Sequence, residues 1–499
     1  MDKLTLNTDK RIRLGIWGLG RGMSFFKSCE ALGLDVVAGC DLNAHMCDRF
    51  AEACTGAFVT ADSDTFLRRE MDAVVLATYC TEHAGDAIRA LAAGKHVLSE
   101  VTAFHTMGEG VRLVEAVEKS GLVYQMAENY PFTKENLFLA EQYRRGLFGE
   151  LQYAEFEYVH NCLKLAYTYI DDTPIVPGHA VHFWRSWFHF HYYNTHSLGP
   201  VMHITGLRPT RVTALPCGQG VPGFLNVDCQ GLAPSLINLS NGAVMRNFMG
   251  ATSNDGHSAR LWGTEGAAER TGAGLRLKLG GGLGPSGKLK LPVEVSWPEG
   301  FGELAERTGH GGGDFWVLYY FAREIREGIV GPFSIYPAAD CTSAGILAYR
   351  SAVEGGTPYD VPDFRDPAAR ERWRGDEFAQ PRYDVEHGCF PAGADPEITD
   401  TFAATMSRLI PHAHTFNALT RWSGVADRLG DDELGKLREL RDNFLLQLAE
   451  VQAVYRQARL IVDAYPVSDG ARVLTDMLRV GGEAEVLAGE FLPWSALRR

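Results

Sequence analysis

The chain predicts an α/β architecture in three parts: a doubly wound parallel sheet, then an α+β unit with an open antiparallel sheet, then a helical extension. Three observations carry this expectation. Over residues 11 to 127, short apolar runs alternate with amphipathic stretches, as in repeated strand–helix–strand units. From Gly149 the texture changes to period-two runs separated by turn residues, and past Thr399 only helical periodicity remains. A chain of 499 residues exceeds one typical core, so several domains are expected. They divide as 1–148, 149–361, a linker at 362–398, and 399–499.

The first strand, residues 14–17, turns sharply at Gly18-Leu19-Gly20 into a helical pattern opening near Arg21. Gly18 permits the tight turn. Gly20 leaves no Cβ between the backbone and a pyrophosphate, and the helix start directs N–H groups and the positive end of its dipole at an anion. The usual third small residue falls at Met23, with Gly22 one place early. The next strand, 36–40, ends in Asp41, at about the interval that a ribose-binding carboxylate requires. An acid there favours a free 2′-hydroxyl, so the expected cofactor is NAD, held on a Rossmann domain by Gly18, Leu19, Gly20, Arg21, Gly22 and Asp41. Strands at 73–77, 96–99 and 123–126 follow. Thr78, Glu100 and Glu128 come after strand ends and should line the crevice.

In the second unit, strands are expected at 153–160, 211–215, 235–239, 243–248 and 259–262, with a turn at Ser240-Asn241-Gly242. Residues 280 to 287 form a glycine-rich loop. Helices are expected at 314–327 and 338–355. The stretch 362–397, rich in Pro, Asp, Arg and Gly, reads as irregular. Beyond it, 431–464 is the longest amphipathic run, with a packing or oligomerising role.

Composition bounds the function. Hydrophobic residues make up 45% and charged residues 22%, ordinary for a soluble globular protein. A net charge of -14 argues against nucleic acid or an anionic membrane as partner. With no apolar leader and no run of about 18 apolar residues, the expectation is a cytoplasmic enzyme. The ten cysteines form no CxxC pair, so reduced thiols are expected rather than structural zinc.

Several segments together resemble the Gfo/Idh/MocA group of NAD(P)-dependent sugar oxidoreductases: GIWGLGRG, ATYCTEH with Thr78 and His83, GKHVLSE ending in Glu100, GTEGAAE, HGGGDF opening at His310, and the run from Tyr336 to Pro362. The resemblance covers residues 11 to 362 and adds Thr78, His83 and Glu100 to the cofactor site. One departure is informative. The group carries Glu-Lys-Pro after the GKHV strand, its lysine assisting proton transfer, whereas this chain has Glu100-Val101-Thr102, and valine cannot move a proton.

A second departure points to a replacement. Residues 191–200 read His-Tyr-Tyr-Asn-Thr-His-Ser-Leu-Gly-Pro, with Tyr192 where ordinary members place an aspartate. The stretch is similar to the Tyr-x-x-His-x-Leu-Gly-Pro of the NAD-dependent glycoside hydrolases typified by family 109. Glu128-Asn129, Glu157-Tyr158-Val159-His160 and Trp184-Arg185 fit the same subgroup, while Cys-Leu-Lys-Leu after Asn161 departs from it.

The resemblance implies hydride removal from C3, deprotonation at C2, expulsion of the C1 substituent, water addition and re-reduction, which differs from the paired-carboxylate route of ordinary glycosidases. The catalytic candidates are Tyr193, His196, Glu128 and Tyr158. Tyr193 would act as phenolate at C2 if a nearby cation lowers its pKa, and His196 would serve the C3 oxygen. His160, Trp184, Arg185 and His310 are the candidate sugar contacts. Aromatic neighbours also make a core role for the tyrosine pair a standing alternative. The histidines at 179, 182, 189, 191, 196 and 203 lack an HExxH-type motif, and no metal is expected. The substrate is then a small glycoside and the assembly a homo-oligomer, dimer or tetramer. Two alternatives stand beside the hydrolase: a sugar or polyol dehydrogenase releasing NADH, and a non-catalytic sugar or cofactor sensor.

Overall fold

The computed structural model describes residues 10–175, 180–218, 220–225, 231–252, 254–279, 289–297, 302–383 and 388–497. The expected glycine-rich loop at 280 to 287 lies outside them.

The N-terminal sheet has six parallel strands: β1 Ile12–Trp17, β2 Leu34–Cys40, β3 Phe58–Thr60, β4 Ala73–Leu76, β5 His96–Ser99 and β6 Tyr124–Met126, in the order β3-β2-β1-β4-β5-β6. The order reverses beside β1, so the switch-point crevice opens at the carboxyl ends of β1 and β4. Strands β1 and β4 are apolar almost throughout because helices cover both faces of the sheet. The short β3 has three half-buried residues, too few for a readable period, and only the sheet reveals it.

The second sheet has nine strands: β7 Leu151–Val159, β8 Pro209–Ala214, β9 Leu232–Leu239, β10 Val244–Gly250, β11 Ala259–Gly263, β12 Gly266–Thr271, β13 Gly274–Leu279, β14 Leu289–Val293 and β15 Tyr359–Asp360. Their order is β14-β13-β12-β11-β7-β10-β9-β8-β15. It corrects the expectation of an antiparallel sheet, because β7 and β10 pair in parallel, Tyr158 beside Met249, and the sheet is mixed. Long excursions between them, including the helix Thr195–Thr205, let β10 re-enter beside β7 in the same direction. In β7 the residues Ala154, Phe156 and Tyr158 point into the core. Glu155 and Glu157 take the other face, where Arg246 and Arg260 pair with them.

Two elements join the halves. The helix Ile335–Val353 is buried along most of its length and packs on β8, the helix Met107–Ser120 and the turn Phe190–Tyr193. Its Asp340 is clamped by Arg208 at 3.0 Å and Arg365 at 2.8 Å. Among the described residues after Val361, the regular pieces before the C-terminal helices are the short helices Pro367–Glu371 and Pro396–Thr399, and the first part of the segment is firmly seated. Arg370 and Arg374 pair with Glu118 and Glu115, and the Gly108 N–H donates to the Asp376 carbonyl at 2.8 Å.

The C-terminal part consists of the helices Phe402–Ser423, Asp431–Leu446, Leu448–Ala464, Asp469–Val480 and Glu483–Ala488. The single run expected at 431–464 is broken at Gln447, which corrects that reading. The break lets the second half pack on Asp469–Val480 and Glu483–Ala488 as well as on Phe402–Ser423. Among the described residues no helix is long and apolar enough to cross a membrane.

Candidate functional site

The crevice begins at the glycine turn. Gly18 has φ +93, and a Cβ there would stand 2.1 Å from the Ala77 carbonyl oxygen, so only glycine fits. An added Cβ on Gly20 would meet nothing within 4 Å, so the backbone opens onto free space there. The Asp41 carboxylate braces this turn, accepting from the Leu19 N–H at 2.7 Å and the Asn43 N–H at 2.8 Å. A tight turn, an open approach and an acid at the end of β2 together fit a dinucleotide. Gly18 to Gly22 and Asp41 are the residues that would hold it.

The remaining cofactor candidates behave differently. Thr78 Oγ1 donates to Asp86 at 3.0 Å. His83 departs from expectation: it is buried, with Nδ1 2.8 Å from the Thr102 carbonyl and Nε2 3.1 Å from the Thr78 carbonyl. Both nitrogens are spent on backbone oxygens, so His83 ties two crevice loops together instead of meeting a ligand. The side chain of Arg21 turns away from the glycine backbone to bind Glu100 at 2.8 Å and Asp314 at 2.6 Å.

The opposite wall is built from the second unit. Glu128 follows β6 and is 0% exposed; both its oxygens lie 2.9 Å from His196 Nδ1, and Oε1 also accepts from the Tyr130 N–H at 3.1 Å. An ionised carboxylate has no hydrogen to give, so His196 donates from Nδ1. Nε2 has no hydrogen-bond partner among the described residues. The Gly199 position explains the Leu-Gly-Pro motif: a Cβ there would come 2.9 Å from Glu128 Cγ, and its absence lets the helix Thr195–Thr205 bring His196 onto the carboxylate.

Around His196 stand aromatic rings. Tyr130 and Tyr158 each lie 4.7 Å from it and Tyr193 5.1 Å, centroid to centroid. Tyr193 stacks on Trp184 at 5.6 Å and on Tyr158 at 6.3 Å. His257, a loop residue, packs on Tyr158 at 5.1 Å and Tyr130 at 5.9 Å. His160 is bound by Asp255 at 2.8 Å and its ring lies 5.8 Å from Tyr158, and the His310 ring lies 6.4 Å from Tyr130.

The tyrosine pair separates cleanly. Tyr192 is core: its hydroxyl accepts from the Gln380 N–H at 3.0 Å, and its ring packs on Phe188, His105 and Tyr349. Tyr193 faces the chamber. Burial pushes its phenol well above the ordinary value, and the Arg185 guanidinium is the charge that acts against this. Arg185 itself lies 4.4 Å over the Trp184 ring and has no carboxylate partner among the described residues. Burial also raises Tyr158 strongly and pushes Tyr130 up to about 12. His257 is lowered by burial and by the neighbouring His160. Val101, in the place of the lysine, is buried and apolar.

The structure thus brings Glu128, His196, Tyr158, Tyr193 and Trp184 into one chamber, with His160 and His310 at its margin. Tyr130 and His257 escaped the sequence reading. Tyr130 sits two residues past Glu128, which could have suggested it; His257 lies in the loop Asn254-Asp255-Gly256-His257 and carried no pattern. The side chains of His179 and His182 lie outside the described residues. Among those described, no group of three His, Cys, Asp or Glu side chains is arranged to hold a metal.

Comparison with known proteins bears on the fold and the cofactor. Residues 12–128 match the model of the oxidoreductase family with NAD-binding Rossmann fold, and 297–373 match the C-terminal domain of glycosyl hydrolase 109. A glycosyl hydrolase family 109 protein of Saccharopolyspora erythraea is 28% identical over 409 residues, spanning 73% of this chain and 84% of the relative. One from Akkermansia muciniphila is 28% identical over 406 residues, 71% of this chain and 83% of its own. Among solved structures, an NAD-binding oxidoreductase from Klebsiella pneumoniae superposes with TM-score 0.58 at 18% identity, covering 70% of this chain and 99% of its own. A levoglucosan dehydrogenase solved with NADH and levoglucosan superposes with TM-score 0.56 at 19% identity, covering 71% and 100%. The chain therefore carries an NAD-binding Rossmann domain and resembles the Gfo/Idh/MocA oxidoreductases and, among them, the glycoside hydrolases of family 109.

Proposed function

We propose that this protein is an NAD-dependent glycoside hydrolase that cleaves its substrate through a transient 3-keto sugar. The observation that carries the reading is the chamber itself: a carboxylate-held histidine and a tyrosine three residues before it, facing a dinucleotide crevice from which the usual lysine is missing. The family 109 resemblance of the chain supports it.

NAD bound in the crevice supplies the acceptor, and later the donor, of the C3 hydride. The protein's part is to move protons and exclude water. Glu128 fixes the tautomer of His196, so that Nε2 takes the C3 hydroxyl proton and gives it back. A carbonyl at C3 acidifies the C2 hydrogen, which Tyr193 Oη removes. Arg185 assists by favouring the phenolate that burial disfavours. Trp184 and Tyr158 both stack on the Tyr193 ring, which keeps the oxygen aimed. Tyr158 and His160 position sugar hydroxyls.

The test is a panel of 4-nitrophenyl α- and β-glycosides of glucose, galactose and N-acetylgalactosamine in D₂O with catalytic NAD. The expected result is nitrophenol release with deuterium at C2 and no net NADH. Stoichiometric NADH would replace the hydrolase with a sugar dehydrogenase.

A further inference from the structure

On that reading, we propose that His310, held by Asp314, is the acid and base that serves the glycosidic oxygen and the incoming water. The argument starts from Asp314, which is 0% exposed and fully engaged. Its oxygens accept from Arg21 Nη1 at 2.8 Å, Arg21 Nη2 at 2.6 Å and Asn129 Nδ2 at 3.0 Å, and His310 Nδ1 lies 3.1 Å away. Burial works to raise its pKa, but the hydrogen bonds from Arg21 and His310 more than offset this and hold it ionised.

An ionised carboxylate at Nδ1 orients the imidazole and leaves Nε2 for another partner. This repeats the arrangement of Glu128 and His196. The Tyr130 ring contacts both histidines, at 4.7 Å to His196 and 6.4 Å to His310. The difference between the two pairs is access. The His196 side chain is 9% exposed and that of His310 is 40% exposed. The proton of the C3 hydroxyl leaves the sugar and returns to it, so an enclosed group can hold it between steps. The aglycone must escape to bulk water and a water molecule must come in. The group serving those events has to stand at the open margin, where His310 is.

The protons balance in both directions. As Tyr193 takes the C2 proton, the C1–O bond breaks and its electron pair goes to the glycosidic oxygen, which accepts the Nε2 proton of cationic His310. The aglycone departs as a neutral alcohol. Neutral His310 then takes a proton from water as the water oxygen bonds to C1, and Tyr193 returns its proton to C2.

The experiment compares good and poor leaving groups. For the sugar accepted by the wild type, turnover of the 4-nitrophenyl and methyl glycosides is measured in His310→Asn and Asp314→Asn. A nitrophenolate leaves with little protonation, whereas methoxide requires it. His310→Asn is therefore expected to lower the methyl-to-nitrophenyl rate ratio roughly 100-fold, within the range of general acid catalysis. Asp314→Asn should lower it in the same sense but less. Loss of both substrates by one common factor in His310→Asn would overturn the assignment. Wild-type cleavage without C2 exchange would instead overturn the keto-sugar route and leave the His310 ratio as an independent result. No NAD-dependent cleavage by the wild type would overturn both.

Discussion

His196 Nδ1 lies 2.9 Å from both oxygens of Glu128, and Glu128 is completely buried. The pair joins the last strand of the nucleotide sheet to the helix Thr195–Thr205, so it is a joint between the two units as well as a chemical group. In Glu128→Gln an amide replaces the acceptor-only partner and the preferred tautomer of His196 is no longer enforced. We expect kcat to fall by about 10²–10⁴, with NAD affinity nearly unchanged, measured by steady-state kinetics and by cofactor titration.

The phenol of Tyr193 is the second test. Phenylalanine keeps the stack on Trp184, so Tyr193→Phe should retain its melting temperature and NAD binding while losing C2 hydrogen exchange. Unchanged exchange would remove Tyr193 from the mechanism. Since burial raises this phenol and Arg185 opposes the rise, Arg185→Met should move the alkaline rise of kcat/KM to higher pH. A profile that stays in place would exclude the guanidinium from that role.

Two glycines of the same turn should respond in opposite ways. Gly20→Ala places a methyl in open crevice space, so folding is untouched and NAD binding is weakened, by an expected order of magnitude or about 1.4 kcal/mol. Gly18→Ala drives a Cβ into the Ala77 carbonyl at a left-handed φ and should destabilise the domain itself. Thermal unfolding with and without NAD distinguishes them.

Asp314 predicts a pH dependence of stability. Its folded pKa is depressed, so its contribution is fully present above the unfolded value of about 4 and is lost as pH falls through the lower folded value. Below that unfolded value the unfolded chain binds more protons, so unfolding becomes easier with acid. Denaturant unfolding between neutrality and acid pH should show this slope, and Asp314→Asn should flatten it.

Gln380 links the segment after Val361 to the aromatic wall. Its Nε2 donates to the Trp187 carbonyl at 2.7 Å and its Oε1 accepts from the His189 N–H at 2.6 Å. Gln380→Ala removes both of these buried hydrogen bonds and should cost about 1–3 kcal/mol, by denaturant unfolding. Because the next turn carries Tyr193, kcat should fall as well.

The sequence alone determined the periodic and local parts of this protein. The βαβ alternation, the glycine turn with Asp41 at its interval, and the Tyr-x-x-His-x-Leu-Gly-Pro stretch are short-range patterns, set by backbone sterics and by which face of an element must be buried. Tertiary structure decided whatever depends on distant segments meeting. Whether Tyr192 or Tyr193 faces the chamber depends on Gln380 capturing the hydroxyl of Tyr192 from a segment nearly two hundred residues away. That β10 lies parallel to β7, that His83 is consumed by the Thr78 and Thr102 carbonyls, and that Arg21 reaches Asp314 across the crevice have the same origin. Each is a contact between segments whose local sequence is compatible with several partners, and only the packed core selects one of them.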